Sequence, residues 1–339
     1  MNVIIPMAGT GSRLRPITPT TPKPLIELSG KTIIYRIIKE LTTYTELKKI
    51  GFILNDKNIE LEKSLKKIIS KDFNSSIRVY FFYQTKPEGT AHAIYCAKKL
   101  LKGKLLIVFS DTLFFLKKPF YINQFDNVNG AIFVKEVKDP SSYGVVKINK
   151  MGIIKSFIEK PEKPVSNLAI IGVYYFKKAE NLKDEISNII SKKIIEKNEY
   201  QLTTALRNLM KLGNKFKTVN VDKWLDCGTP KNLLATNKYL LKKQKKDNGG
   251  FSNKKKYIIE PVYLGKNIKI KNSKIGPYVS IEDNSIIENS SLKNTIVQGN
   301  AKIKNANLDK SIIGKFADYN PMSKSIILGP FSKLNKNEA

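Results

Sequence analysis

Histidine is all but missing from this chain. Of 339 residues only His92 carries an imidazole. That excludes a site built on several histidines. It also excludes a Ser-His-Asp or Cys-His nucleophile unless His92 itself takes part. Cysteine is nearly as scarce. Cys96 and Cys227 cannot build a disulfide framework; both read as small buried hydrophobes, and a reducing cytoplasm is the expected compartment. No stretch reaches the ~18 continuous apolar residues of a membrane-spanning helix. The apolar start, Val3 to Ala8, is too short for a secretory leader and runs straight into Gly, Arg and Pro. No membrane association is expected.

Arginine is the third scarcity. The formal net charge is +31, which invites a nucleic-acid reading. Yet arginine occurs only at Arg13, Arg15, Arg36, Arg78 and Arg207, and the other basic residues are lysines spread along the whole chain. Bidentate base readers lean on arginine, whereas dispersed lysine belongs on solvated faces. No nucleic-acid partner is expected, although excess positive charge helps to attract anionic nucleotides.

What is present starts at the N-terminus. Val3-Ile4-Ile5-Pro6 is a short apolar strand, and Ala8-Gly9-Thr10-Gly11 is a turn behind it. A glycine turn leaves backbone N–H groups open to phosphate oxygens because no Cβ blocks their approach. Arg13, Arg15 and Lys23 add positive charge. No Gly-Lys-Ser/Thr follows, so this is no Walker A loop. The third glycine of the dinucleotide fingerprint is missing too. Pro16, Pro19, Pro22 and Pro24 keep a helix from starting directly after the turn.

Further along, apolar strand runs alternate with amphipathic helical runs. Strands are predicted at Val3–Pro6, Lys49–Leu54, Arg78–Tyr83, Leu105–Phe109 and Gly130–Val137, and helices at Thr32–Leu41, Ile59–Ile69, Ala91–Leu100 and Thr229–Lys246. This alternation predicts an α/β fold: a Rossmann-like, mostly parallel sheet with helices on both faces. Gly144–Ile148, Ile153–Glu159 and Ala169–Phe176 read as strands with no helix between them. A separate small mixed sheet is expected there.

Lys242–Lys256 is polar and glycine-containing and reads as a linker or exposed helix end. After it the texture changes. Leu264 and Ile270, then Ile275, Ile281 and Ile287, then Val297 and Ile303 recur six residues apart, with five-residue steps to Leu292, Leu308 and Ile313. Gly and Asn fill the corners. One inward aliphatic per six residues suits a triangular β-helix.

The ordered motifs resemble the sugar-1-phosphate nucleotidylyltransferases. The pattern G-x-G-S-R-L-x-P is followed by Pro22-Lys23-Pro24-Leu25 and by Gly30-Lys31. Gln84-Thr85-Lys86-Pro87-Glu88-Gly89-Thr90-Ala91 looks like the base-contacting loop of that family. Phe109-Ser110-Asp111-Thr112 looks like its metal-binding strand end, and Trp224-Leu225-Asp226-Cys227-Gly228-Thr229-Pro230 like its second metal carboxylate. Tyr143-Gly144-Val145-Val146 and Glu159-Lys160-Pro161 look like its sugar-phosphate contacts. The resemblance covers roughly residues 1–240. It implies a catalytic domain over 1–241, a linker over 242–257 and, over 258–330, a left-handed parallel β-helix of hexapeptide repeats.

It further implies attack by a sugar-1-phosphate oxygen on the α-phosphorus of a nucleoside triphosphate, with dTTP and glucose-1-phosphate as the leading pair and Mg²⁺ as cofactor. A uridylyl- or a mannose-1-phosphate guanylyltransferase is the alternative within the class, and a non-catalytic assembly subunit the alternative outside it. Arg13, Lys23, Asp111 and Lys160 would be catalytic. Ala8, Gly9, Gly11, Gln84, Gly89 and Thr90 would bind the nucleotide. Tyr143, Gly144, Glu159, Asn167 and Gly172 would line the sugar side, and Asp111 with Asp226 would hold the metal. Some relatives carry a second, acyl-transfer activity that relies on a histidine in the β-helix. This tail has none, so assembly or regulation is its expected role, and a homo-oligomer the expected state. Ala8 stands where a paired glycine is commoner, Ser12 where threonine is usual, and Ser110-Asp111-Thr112 replaces the frequent Gly-Asp-Asn. Pro24 stands where compact thymidylyltransferases carry glutamine, which leaves uridine open.

Overall fold

The computed structural model describes residues 1–9, 11–18, 21–73, 76–117, 122–163, 165–247 and 257–321. The chain divides after residues 10, 36 and 224 into two compact units, so that the loop carrying Arg13 and Lys23 belongs with the C-terminal portion.

The first unit is built on one nine-stranded sheet. Its strands are β1 (Asn2–Pro6), β2 (Lys49–Leu54), β3 (Arg78–Tyr83), β4 (Leu105–Val108), β5 (Gly130–Glu136), β6 (Gly144–Ile148), β7 (Ile154–Glu159), β8 (Leu168–Phe176) and β9 (Phe216–Asn220). The order is β7-β6-β8-β4-β1-β2-β3, with β5 also on β8 and β9 on β5. Strands β4, β1, β2 and β3 run parallel. Parallel strands need cover on both faces, so they read as unbroken apolar runs. Val3, Ile4 and Ile5 of β1 and Leu105, Ile107 and Val108 of β4 are accordingly fully buried. Each such side chain contributes about 1.5–3 kcal/mol of apolar burial.

The expected separate small sheet is not what forms. Strands β6 and β7 pair antiparallel with each other, and β8 pairs antiparallel with β4, β5 and β6, so one sheet continues. The nine-residue strand β8 bridges both halves. It does so through a register shift between Ile170 and Tyr174, where Gly172 adopts φ +82.

Helices α1 (Ile33–Tyr44), α2 (Ile59–Asp72), α3 (Thr90–Cys96), α4 (Ala179–Ser191), α5 (Leu202–Lys211) and α6 (Pro230–Asp247) complete the α-helices of the described residues. Asn58 caps α2 by accepting from the Leu61 N–H at 2.9 Å, with Glu60 and Glu62 in the positive first turn. Helix α3 is shorter than expected: it gives way to a 3₁₀ turn at Lys98–Leu100. Helices α4 and α5 and strand β9 were not expected. Leu182, Ile186 and Ile189 of α4 join Leu202, Ala205, Leu206 and Leu209 of α5 and Ala91 and Ile94 of α3 in one core.

In the second unit three parallel ladders of short strands stack into a β-helix. They start at Val262–Leu264, Lys269–Lys271 and Lys274–Ile275. Register partners lie 17 residues apart in the first coil (Lys269↔Ile286) and 16 in the next (Ile286↔Lys302), the five-residue steps shortening an ideal 18. Ile275, Ile281, Ile287, Leu292, Val297 and Ile303 fill its interior. Asparagine turns the corners. Asn272, Asn289 and Asn305 all take positive φ, which Asn tolerates better than other side-chain-bearing residues. Their side-chain amides stack from coil to coil: Asn272 to Asn289 at 3.3 Å, then Asn289 to Asn305 at 3.2 Å. Of the polar run predicted as a linker, Lys242–Asp247 continues α6, and residues 248–256 lie outside the described residues, as do Thr10, Pro19 and residues 322–330 of the range expected to form the β-helix.

Candidate active site

In the first unit the chemistry-bearing residues sit at strand ends of one sheet. Strand β3 runs into Gln84, whose N–H donates to the Leu54 carbonyl of β2 at 2.8 Å. Gln84 is only 7% exposed. Its amide nitrogen Nε2 donates to the Gly89 carbonyl at 3.0 Å and lies 3.2 Å from His92 Nδ1. The other ring nitrogen, Nε2, is 3.3 Å from a Glu88 carboxylate oxygen. Gly89 is required where it stands: φ is +108, and a Cβ would come 2.7 Å from the Tyr200 backbone. Thr90 starts α3. Its hydroxyl accepts from the Leu202 N–H at 3.0 Å, tying α3 to α5.

Asp111 lies in the turn between β4 and Thr112–Phe115. The turn is strapped to β8: the Phe109 N–H donates to the Gly172 carbonyl at 2.9 Å, and the Thr112 hydroxyl to the Ile171 carbonyl at 2.6 Å. A Cβ on Gly172 would press on Phe109 at 3.0 Å. Gly172 and the Asp111 turn are therefore brought together.

A second cluster gathers on β6 and β7. Gly144 and Glu159 are register partners. A Cβ on Gly144 would stand 3.1 Å from Glu159 Oε2. Burial raises the Glu159 carboxyl above its ordinary range, and the Thr203 hydroxyl, donating to Oε2 at 3.1 Å, pulls it back. The Lys160 N–H donates to the Tyr143 carbonyl at 3.1 Å, and Lys160 is held at φ +44. Lys197 Nζ donates to the carbonyls of Glu159 at 3.1 Å and Lys160 at 2.8 Å. Tyr143 packs edge-on against Trp224, ring centroids 5.0 Å apart. Sequence reasoning missed Thr203 and Lys197, and no motif announces them. Asn167 does not join this cluster. It is exposed at the start of β8, its carbonyl accepting from Val137. The residue beside Gly144 is Ile170.

Ala8 is half-buried and Gly9 exposed at the end of β1; a Cβ on Gly9 would meet nothing within 4 Å. In the second unit Gly11 takes φ +62 and opens the 3₁₀ turn Ser12–Leu14. The Thr18 hydroxyl donates to its carbonyl at 3.0 Å. Lys23 opens a second 3₁₀ turn, Lys23–Leu25. The Arg13 guanidinium reaches Gly228, where a Cβ would stand 3.4 Å from it and 2.8 Å from Asp226 Oδ1. Asp226 accepts from the Gly228 N–H at 2.8 Å and from the Asn232 amide at 2.7 Å. So Arg13, Asp226 and Gly228 are neighbours.

Among the described residues no three His, Cys, Asp or Glu side chains gather into a metal cage. A single carboxylate such as that of Asp226 still fits a hard cation such as Mg²⁺, which takes one or two carboxylates and completes its shell with water and substrate phosphates. Asp226 Oδ1 accepts from the Gly228 N–H and Oδ2 from the Asn232 amide, and a carboxylate oxygen with one such donor keeps accepting capacity.

The nucleotidyl transferase family model matches residues 2–243. This chain is a nucleotidyl transferase, of the sugar-1-phosphate nucleotidylyltransferase family. The bifunctional protein GlmU of Methanocaldococcus jannaschii is 32% identical over 94% of this chain and 79% of its own. The low-salt glycan biosynthesis nucleotidyltransferase Agl11 of Haloferax volcanii is 27% identical over 98% of this chain and 99% of its own. Among solved structures, a UDP-glucose pyrophosphorylase from Acinetobacter baumanii covers 72% of this chain and 94% of its own at TM-score 0.59 and 20% identity, which speaks to the fold alone. Members of the family generally use a divalent metal. No helix among the described residues of this nucleotidyltransferase is long and apolar enough to cross a membrane.

Proposed function

We propose that this nucleotidyltransferase joins dTTP to glucose-1-phosphate, releasing pyrophosphate. A phosphate oxygen of the sugar attacks the α-phosphorus; that P–O bond forms as the bond to the β-phosphate oxygen breaks. The attacking group already carries negative charge, so no strong base is needed. Catalysis is then positioning and charge neutralisation, which suits a chain with one histidine.

The observation that carries this reading is the grouping of Gly144, Glu159, Lys160 and Tyr143 on one sheet edge, with Thr203 and Lys197 holding it. Glu159 would accept sugar hydroxyls, and Lys160 would pair with the sugar phosphate. Gln84 and Gly89 would contact the base. Arg13 would hold the triphosphate tail through its bidentate fork, and Lys23 would meet charge developing at the α-phosphate. Asp111 and Asp226 would hold Mg²⁺, which when bound screens the phosphate oxygens.

A second reading, UTP as donor, is favoured by Pro24 and by a structural neighbour described as UDP-glucose pyrophosphorylase complexed with UDP-glucose. A cytoplasmic location and a homo-oligomer built through a left-handed β-helix complete the proposal. The test runs the reaction backwards: dTDP-glucose or UDP-glucose plus pyrophosphate should yield the triphosphate and glucose-1-phosphate when Mg²⁺ is present. No turnover of either nucleotide-sugar by folded protein overturns it.

A further inference from the structure

Gln84 is buried, and one end of its amide is fully committed. Nε2 donates to the Gly89 carbonyl at 3.0 Å, and its other hydrogen points to His92 Nδ1 at 3.2 Å. An amide nitrogen cannot accept, so Nδ1 must be the ring's accepting nitrogen. The neutral imidazole then carries its proton on Nε2, and that N–H faces the Glu88 carboxylate at 3.3 Å. Every link in the series Glu88–His92–Gln84–Gly89 has a donor meeting an acceptor. Reversing the amide would set Oε1 against the Gly89 carbonyl and against an Nδ1 lone pair, two repulsions at once. Oε1 accepts no hydrogen bond from any described residue. A side chain only 7% exposed thus keeps one unpartnered acceptor, and the lock on its other end prevents it from turning.

We infer that His92 is a positioning residue that locks Gln84 with its carbonyl oxygen toward the ligand, restricting the nucleotide to bases with a ring N–H on the Watson–Crick edge. Uracil, thymine and guanine present such a donor. Cytosine and adenine present a ring lone pair there, which the locked oxygen repels. A freely turning glutamine would show either end and discriminate little. A locked one rejects the wrong edge because its oxygen then meets a ring lone pair and has no donor from the base. The inference rests on Gln84 being the base contact proposed above.

The chain's single histidine makes the lock directly measurable. ¹⁵N-histidine labelling gives one imidazole, and its two nitrogen resonances report the tautomer without any assay of activity. The expected result is the Nε2–H form in wild type; an Nδ1–H form overturns the inference. In kinetics, wild type should use UTP, dTTP or GTP with kcat/KM at least about 30-fold above CTP and ATP. His92→Phe keeps a planar aromatic ring and loses both nitrogens. It should raise KM for the preferred triphosphate about 10-fold with kcat within about 3-fold, leave KM for the sugar phosphate alone, and shrink the preference over CTP. Glu88→Gln, at an exposed position that cannot endanger folding, should move the same quantities less far. A wild type that prefers CTP or ATP, or a His92→Phe protein with unchanged KM and unchanged preference, overturns the inference while leaving the nucleotidyltransferase reading standing. Failure of wild type to turn over any triphosphate strikes that reading instead, and the tautomer measurement still tests the lock.

Discussion

The β-helix carries a carboxyl group whose protonation should make stability fall as pH rises. Glu282 Oε2 accepts from the Gly299 N–H at 2.9 Å, while Oε1 is buried with no hydrogen-bond partner among the described residues. Burial, with Glu27 nearby, pushes this carboxyl from its ordinary 4.5 up to about 8. Glu27 is raised as well, by its own burial and then by Asp283. Between 4.5 and about 8 the folded chain therefore holds a proton that the unfolded chain has released. Stability is highest below about 4.5 as far as this group is concerned, declines as pH climbs, and has lost the full contribution once pH passes about 8. At about 1.4 kcal/mol per pH unit, that gap sets a ceiling of ~5 kcal/mol. Water reaching part of the carboxyl trims this to a few kcal/mol. Glu282→Gln keeps an oxygen for Gly299 and cannot ionise. In thermal melts between pH 6 and pH 9, wild type should lose on the order of 5 °C, and Glu282→Gln most of that slope. A wild-type melting temperature that is flat across this window, or a variant that keeps the whole slope, refutes the reasoning.

Other outcomes follow from single contacts. Asp111→Asn should lower kcat/KM by at least ~100-fold with an unchanged circular dichroism spectrum. Gly89→Ala forces a side chain onto the Tyr200 backbone at positive φ; urea melts should show a loss of roughly 2–4 kcal/mol and nucleotide titrations weakened binding. Thr203→Val removes the hydroxyl that donates to Glu159 and should raise KM for the sugar phosphate by about 10-fold or more, as loss of a hydrogen bond to a carboxyl group does, with the triphosphate KM unchanged. Asn289→Ala breaks two rungs of the corner ladder and leaves alanine at φ +46; melting should report a loss of about 1–2 kcal/mol.

The parallel half of the sheet was legible because its strands are continuous apolar or aromatic runs, buried through the centre of β1 and all of β4, largely buried in β2 and half-buried in the edge strand β3. Lys49–Leu54 and Arg78–Tyr83 stand out as apolar runs between polar breaks, and they form as read. Helices α4 and α5 were not, because lysine and asparagine interrupt their apolar stripes and Leu182, Ile186 and Ile189 show their spacing only once the helix is assumed. The separate small sheet failed for a topological reason: the long strand β8 pairs on both sides, and no local pattern announces which partners a strand takes. At the site, glycine-marked positions were the readable ones, since Gly89, Gly144 and Gly172 stand where a Cβ meets protein atoms within about 3.1 Å. Asn167, expected on the sugar side from its residue type, is exposed just before β8, and strand register sets Ile170 beside Gly144. The work of His92 was invisible until Gln84 and Glu88 were seen on its two nitrogens.

The central claim is tested most directly by pyrophosphate release from dTTP, UTP, GTP, CTP and ATP, each with Mg²⁺ and a panel of sugar-1-phosphates. The account predicts release with dTTP or UTP paired with glucose-1-phosphate, abolished in Asp111→Asn. Silence across the panel from folded protein would contradict it and leave a non-catalytic assembly subunit.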